Sequence, residues 1–149
     1  GHPMAAGLSM EEKNVELFRR RLNDNCTLTE QDLIPKIMID VPMPISYLSK
    51  KLTEQLKVLE PFGKGNSKPL FAQKNLRAVG IRVFGRNRNV AKMLLIDENG
   101  IKMDAVYFGE AQEFVDFVQA HDTISVTYYP EINVFQGREN LQVVIKNYC

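Results

Sequence analysis

Two segments near the start of the chain repeat apolar residues every three or four positions, as amphipathic helices do. They cover residues 10–24 and 46–59. Their apolar stripes are, in chain order, Val15, Phe18 and Leu22, then Leu48, Leu52, Leu56 and Leu59. Between them, an alternating run over residues 37–41 predicts one short strand that Pro42 ends. The first 60 residues are therefore predicted to be helical with a single strand.

The hydrophobic period changes from 3.6 to 2 after residues 61–69, a segment whose two prolines and two glycines forbid regular structure. The predicted elements are strands over 76–84, 90–97 and 101–107, a helix over 110–120, and strands over 124–128 and 141–145. In the first of these strands, Val79, Ile81 and Val83 alternate as one face. Three strands, a helix and two strands thus follow one another within about 75 residues.

This order predicts an α+β chain whose second part is a five-stranded antiparallel OB-fold barrel. Long unpaired strand edges invite association, and closing a small sheet into a barrel removes them. The OB-fold places one helix between its third and fourth strands, as here. An open sheet backed by one helix remains the alternative. The predicted division is residues 1–60, a linker over 61–74, and the barrel over 75–149.

The composition mainly excludes some classes of protein and of binding site. The chain has 149 residues, 44% hydrophobic and 25% charged, which is enough to bury a core without disulfides or metals. Its longest aliphatic stretch, residues 93–96, is far shorter than a membrane helix, so we expect a soluble, cytoplasmic protein without a membrane partner. Cys26 and Cys149 have no metal-ligand spacing, and His2 and His121 lie far apart, so no metal site is predicted.

Charge is unevenly distributed. Residues 61–96 contain eight basic side chains and no acidic one, whereas residues 1–60 hold eight basic and nine acidic. The basic residues are Lys64, Lys68, Lys74, Arg77, Arg82, Arg86, Arg88 and Lys92. Two predicted loops, 85–89 and 130–140, are those that flank the ligand face of an OB barrel. The block therefore predicts phosphate binding, with a solvated surface that has no ligand as the alternative.

Aromatic residues near this block could stack on unpaired bases, which is worth about 1–3 kcal/mol per base. Phe135 at a loop tip is the best candidate and Phe84 the next, whereas alternation sends Tyr107 and Phe108 to opposite faces. Phe114, Phe117 and Tyr128 are predicted to pack in the core. The predicted nucleic-acid-binding residues are Arg77, Arg82, Phe84, Arg86, Arg88, Lys92, Phe135 and Arg138.

Catalytic signals are weak. No Gly-x-x-x-x-Gly-Lys-[Ser/Thr] loop is present, and Asp97, Glu98 and Asp104 are explained by a solvated hairpin turn. His2 is the exception, because the small residues that follow it let backbone approach a phosphate to which a histidine could donate a hydrogen bond. A frayed terminus is the alternative.

Three motifs resemble one family. Residues 1–7, GHPMAAG, resemble the GGHxxAAG signature of DHH-associated domains without its first glycine. Residues 59–71, LEPFGKGNSKPLF, are similar to the LEPFGxGNPxPxF stretch of the RecJ single-stranded-DNA-specific exonucleases, with Ser67 in place of a proline. Residues 131–142, EINVFQGRENLQ, are similar to the EINxFRGxxxLQ run of that family, with Gln136 in place of an arginine.

The resemblance implies a C-terminal fragment of a metal-dependent exonuclease that degrades single-stranded DNA from its 5′ end in DNA repair and recombination. It assigns residues 1–60 to the end of a DHH-associated domain, a substrate-phosphate contact to His2, and a motif loop to Gly63, Lys64, Gly65 and Asn66. The parent's Mn²⁺ or Mg²⁺ would lie in an upstream DHH catalytic domain, which would be a partner of this chain. The fragment alone would hold no cofactor and be inactive. A docking module of the same enzyme and a DHH-family oligonucleotide phosphodiesterase are the alternatives.

Overall fold

The computed structural model describes residues 5–149, which form parts of two compact units, Gly1–Ile37 and Met38–Cys149. The division between these units falls before the segment 61–74 that the sequence predicts as a linker. The assignment of residues 1–60 to a DHH-associated domain stays a prediction.

The first unit consists of short helices. A 3₁₀ turn at Glu12–Asn14 leads into α1, Val15–Asp24, so the predicted helix over 10–24 is confirmed, with its α-helical part starting five residues later. A second 3₁₀ turn, Glu30–Leu33, begins with a capping box. The Asp32 carboxylate accepts hydrogen bonds from the backbone and the hydroxyl of Thr29, at 2.8 and 2.7 Å, which lowers the pKa of Asp32.

The second unit begins with short elements. The predicted strand over 37–41 is reduced to β1, Val41–Pro42, and the predicted helix over 46–59 is broken. In its place lie a 3₁₀ turn, Ile45–Tyr47, then α2, Lys50–Gln55, and a further 3₁₀ turn, Leu56–Leu59. The break arises because Leu48 is extended and the Ser49 hydroxyl accepts the Leu52 N–H at 3.1 Å, which starts a new helix.

The remaining elements close a barrel. They are β2, Phe71–Phe84, β3, Val90–Ile96, β4, Lys102–Phe108, α3, Ala111–Gln119, β5, Ile124–Phe135, and β6, Arg138–Tyr148. The strands pair in the order β2–β3–β4–β6–β5, and β5 pairs again with β2. This is the topology of an OB barrel, so the predicted fold is confirmed. No helix in the described range is long and apolar enough to cross a membrane.

One pair of the barrel departs from the predicted antiparallel arrangement, and the pair formed by the strand before the barrel, for which no direction was predicted, is also parallel. The pairs β4–β6 and β1–β2 are parallel. The first follows from closure: β5 runs antiparallel to β2, and β6 then returns antiparallel to β5, which leaves it running in the same direction as β4. The six strands are the one predicted before the barrel and the five predicted within it.

Two further expectations fail in detail. The alternation of Val79 with Ile81 and Val83 is interrupted by a bulge between Val79 and Arg82, where Gly80 has φ +64°. Val79 is consequently 39% exposed, while Ile81 and Val83 pack against the core. Likewise, residues 130–140 are not a long loop, because β5 and β6 continue through them.

The core fills the barrel and is closed by α3. Phe114 of α3 is fully buried and stacks on Tyr107 of β4 at 4.7 Å between ring centroids. Tyr128 of β5 is also fully buried, and its hydroxyl donates to the Met43 carbonyl at 2.5 Å. Phe117 packs against the same cluster, so the predicted packing roles of Phe114, Phe117 and Tyr128 are confirmed.

Candidate nucleic-acid interface

The outer surface of β2 and β3 gathers basic side chains. Arg82 lies directly opposite Lys92 across the two strands, and Arg77 lies opposite Ile96. Because paired residues of neighbouring strands share a face, Arg82 and Lys92 point the same way. Arg77 and Arg82 are five residues apart, and strict alternation would separate them. The bulge at Gly80 adds one residue and returns both to the outer face.

The turn between these strands adds two arginines. Arg86 and Arg88 lie in the connection from Gly85 to Asn89, which the Arg88 N–H closes by donating to the Gly85 carbonyl at 3.0 Å. Gly85 and Arg88 both have positive φ, at +90° and +51°. We call β2, this turn and β3 the basic hairpin. Strand β2 of this hairpin ends at Phe84, which lies opposite Val90 and is exposed.

The second hairpin is formed by β5 and β6 and is here called the long hairpin. Its strands pair without interruption from Tyr128 to Phe135, and the turn consists of Gln136 and Gly137 alone. Both turn residues have positive φ, +49° and +74°, as in the tight turns that suit twisted strands. Phe135 lies opposite Arg138 at the tip and is 65% exposed.

A cleft of about 270 Å³ lies on the outside of the barrel, and we call it the outer cleft. Strands β3 and β4 contribute one set of its lining residues, and the long hairpin contributes the other. The lining residues are Lys92, Met93, Asp104, Ala105, Asn133, Phe135, Asn140 and Gln142. The outer cleft therefore combines an ammonium group, an exposed aromatic ring and several amides.

Hydrogen bonds within the motif loop fix its conformation, and none of its residues lines the outer cleft. Gly63 and Asn66 exchange backbone hydrogen bonds of 2.9 and 3.1 Å, around a turn that holds Lys64 and Gly65. The Asn66 amide donates to the Leu59 and Pro61 carbonyls at 2.9 and 3.0 Å. The Asn66 side chain thus ties the motif loop to the residues that precede it.

Next to this loop, aromatic rings pack on the long hairpin. Phe62 contacts Tyr129 edge-on at 6.2 Å between centroids, and the Lys68 ammonium lies 4.6 Å from the Tyr129 ring centre. Burial raises the pKa of Tyr129, and the carboxylates of Glu60 and Glu131 raise it further. A cavity of about 150 Å³ between these residues and α2 is smaller than the outer cleft.

No side chain of the basic block forms an ion pair within residues 5–149. Ion pairs in the described part of the chain are Lys13–Glu11, Arg19–Glu16 and Lys50–Glu139, and no side chain of the block takes part in them. Its charges are therefore available to an anionic ligand. Within residues 5–149, no group of three or more His, Cys, Asp or Glu side chains is placed to hold a metal ion.

Most predicted site residues fall on two neighbouring features. Arg82, Phe84, Arg86, Arg88 and Lys92 belong to the basic hairpin. Phe135 and Arg138 share the tip of the long hairpin, and Arg77 lies further along the outer face of β2. The motif loop is a separate element, and His2 lies outside the described residues.

Sequence reasoning missed four polar residues of the outer cleft, namely Asp104, Asn133, Asn140 and Gln142. The register of the β3–β4 hairpin was the available signal for the first, because a turn at residues 97–101 places Asp104 opposite Leu94 and beside the row that holds Lys92. Phe108, which alternation sends to the face opposite Tyr107, is 59% exposed, while Tyr107 packs against the core.

The chain was compared with known proteins. The family model "RecJ OB domain" matches residues 39–147. The single-stranded-DNA-specific exonuclease RecJ of Bacillus subtilis (strain 168) is 31% identical over 149 residues, covering 99% of this chain and 19% of that protein. The RecJ of Escherichia coli (strain K12) is 29% identical over 153 residues, covering 99% and 25%. The chain thus spans between a fifth and a quarter of these relatives.

Solved structures agree at the level of fold. The crystal structure of RecJ in complex with Mn²⁺ from Thermus thermophilus matches with a TM-score of 0.64 at 17% identity, over 95% of this chain and 20% of that one. The Mg²⁺ complex of the same protein matches with a TM-score of 0.61 at 18% identity, over 94% and 21%. The family match covers well over half of the chain, and the chain belongs to the RecJ OB-domain family.

Proposed function

We propose that the barrel binds single-stranded DNA, as the C-terminal part of a RecJ-type 5′→3′ exonuclease that acts in DNA repair and recombination. The observation that carries the proposal is the presence of Lys92 and Phe135 in one cleft beside Arg82. Proteins that bind unpaired strands combine positive charge, which tracks the backbone, with rings on which bases stack. The names of the relatives support the same substrate.

Electrostatics favours a strand over a small ligand. The basic hairpin carries Arg77, Arg82 and Lys92 on its outer face and Arg86 and Arg88 at its end. These charges extend along a 14-residue strand and its turn rather than converging on one point. A line of cations suits a chain of phosphates, and each neutralised phosphate releases counterions.

We place the divalent metal ions, Mn²⁺ or Mg²⁺, in a catalytic domain upstream of this chain, which would be its covalent partner. His2 would contact the substrate phosphate there. In this arrangement the barrel holds the strand while the upstream domain cleaves it. The chain alone is then expected to bind DNA without hydrolysing it.

The test is fluorescence anisotropy of the 149-residue chain with a labelled oligo-dT at about 50 and 200 mM salt. Replacing Arg86 and Arg88 together by alanine is expected to weaken binding. It should make the slope of log affinity against log salt shallower by about 1.4, since each lost single-strand phosphate contact removes about 0.7. Replacing Arg20 and Arg21 of α1 by alanine is the matched control and should leave the slope unchanged.

Two results would overturn the proposal. Affinity that does not fall with salt is incompatible with phosphate binding, and affinity for a duplex equal to that for oligo-dT is incompatible with base stacking. An unchanged slope in the double variant at Arg86 and Arg88 would exclude the turn of the basic hairpin from the contact surface.

A docking role within the same enzyme is the second candidate, and one observation favours it. Val134 and Phe135, both apolar, are consecutive exposed residues at the tip of the long hairpin. Under this hypothesis the tip would bind the upstream catalytic domain. The upstream domain would be produced separately and tested for binding to this chain. Binding that persists at high salt, together with no detectable DNA binding by this chain, would favour docking.

A further inference from the structure

The outer cleft contains a carboxylate that phosphate binding does not explain. Asp104 lines the cleft together with Lys92 and Phe135. Among residues 5–149 it has no ion-pair partner within 4.0 Å. A carboxylate repels the phosphates that the neighbouring cations attract, so it opposes backbone binding. Toward a nucleotide, its place in the cleft is favourable where the ligand presents a hydrogen-bond donor.

The strand register places Asp104 two residues along β4 from the row that Arg82 and Lys92 form. Lys92 pairs with Val106 on β4, and Leu94 pairs with Asp104. Two residues along a strand span about 7 Å, so the ammonium row and the carboxylate occupy successive outward positions. A nucleotide whose phosphate is held by Arg82 and Lys92 can therefore direct its base toward Asp104.

The other polar side chains of the cleft lie next to Asp104. Gln142 is its partner on β6, and Asn140 lies opposite Asn133 across the long hairpin. The Gln142 amide N–H donates to the Glu131 carboxylate at 3.2 Å, which leaves its carbonyl oxygen to accept. The two asparagines can each donate and accept. Phosphate binding requires none of these acceptors, whereas the edge of a base presents N–H donors to them.

We propose that the outer cleft binds one nucleobase of the strand and prefers guanine; this rests on the proposed function. Guanine carries two adjacent donors, N1–H and the N2 amino group, that match the two oxygens of one carboxylate. Thymine has a single donor between two carbonyl oxygens, which Asp104 would repel. Unpaired bases are commonly read on this edge while stacked on an aromatic ring, here that of Phe135. The volume of about 270 Å³ suits one base.

The test uses the 149-residue chain and oligo-dT strands with one central position replaced by dG, dC or deoxyinosine. A single guanine avoids folded guanine-rich structures. The dG strand is expected to bind about tenfold more tightly than all-dT, the discrimination of a good bidentate contact. Deoxyinosine, which lacks the N2 amino group, should retain only part of this gain.

Asp104→Asn should reduce the dG advantage over all-dT to less than about twofold, because the amide no longer presents two acceptors. Asp122→Asn, the same exchange at an exposed position outside the cleft, is the control and should keep the advantage. Both replaced residues are exposed, and circular dichroism of both variants verifies that they fold.

The outcomes separate the two proposals. Equal, salt-dependent binding of the dG and dT strands would overturn the guanine preference and leave single-strand binding intact. A dG advantage that survives in Asp104→Asn would overturn the role given to Asp104. Binding that is absent or independent of salt for every strand would overturn the proposed function and this inference together.

Discussion

The two hairpins that border the outer cleft are built in opposite ways. The basic hairpin has a five-residue connection, residues 85–89, with an arginine at each of two positions. The long hairpin turns in two residues, and its outward positions hold an aromatic ring, amides and the carboxylate of Glu131. One hairpin therefore supplies charge without acids, and the other supplies shape and hydrogen bonds.

Because of this difference, the two hairpins are expected to contribute to strand binding through different interactions. Charge–phosphate attraction acts over several ångströms and weakens with salt, whereas stacking and hydrogen bonds require contact and depend little on salt. The basic hairpin should set how strongly a strand is attracted, and the long hairpin how firmly its bases are held. Variants in the two hairpins should consequently differ in salt dependence as well as in affinity.

The largest expected effect on affinity is at the tip of the long hairpin. Phe135→Ala removes an exposed ring and should weaken oligo-dT binding by about 1–3 kcal/mol, which corresponds to roughly 5- to 150-fold. The salt slope measured by anisotropy should stay within error of the parent value, because no charge is lost. Val134→Ala is the control, since Val134 is also exposed but alternates to the opposite face.

An equal loss of oligo-dT affinity in Val134→Ala and Phe135→Ala would mean that the tip acts through general hydrophobicity, as a docking surface would. A change of salt slope in Phe135→Ala would show that the long hairpin also contributes to the salt-dependent attraction of the strand.

The second prediction concerns the bulge that aligns the basic hairpin. Gly80 has φ +64° with no other residue near the place a Cβ would take, so Gly80→Val should destabilise the chain through backbone conformation alone, by about 1–2 kcal/mol. Chemical denaturation measures this loss. Gly63→Val is the control, because Gly63 also has open space but lacks a positive φ.

If the bulge shifts, Arg77 and Arg82 no longer share a face and the salt slope should become shallower. Full stability in Gly80→Val would contradict the role given to this glycine. A destabilised variant with an unchanged slope would show instead that Arg77 does not contact phosphate.

The sequence predicted the barrel because its signals are local. Periodicity located all five barrel strands, and the helix between the third and fourth strands indicated the topology. The bulge at Gly80 could not be predicted, since alternation continues on both sides of it and only pairing with β3 reveals the extra residue. For the same reason, the prediction that Arg77 and Arg82 bind one ligand lacked a geometric basis in the sequence.

The errors have a common physical origin in tertiary pairing. Residues 130–140 contain a proline, two asparagines and a glycine, which favour a loop locally, yet strand pairing extends the hairpin through them. The helix predicted over 46–59 is broken where the Ser49 hydroxyl caps a new segment. The polar lining of the outer cleft comes from four strands, β3 to β6. The motif over residues 131–142 contains Asn133, Asn140 and Gln142, but only strand pairing brings them to Lys92 and Asp104.

The smallest expected effect tests how the base of the long hairpin is anchored. Burial raises the pKa of Tyr128 well above its usual value near 10, and its hydroxyl donates to the Met43 carbonyl. Tyr128→Phe should cost about 1 kcal/mol near neutral pH, the net contribution of one hydrogen bond. Tyr47→Phe is the control, because Tyr47 is 72% exposed.

The pH dependence of this loss has a definite sign. Above about pH 10 the unfolded chain releases the Tyr128 proton while the folded chain keeps it, so rising pH favours unfolding of the parent. Tyr128→Phe lacks this term, and the stability gap between the two proteins should narrow between about pH 9 and 11, as measured by urea denaturation. A gap that stays constant or widens would show that the hydroxyl ionises at least as easily in the folded barrel as in the unfolded chain.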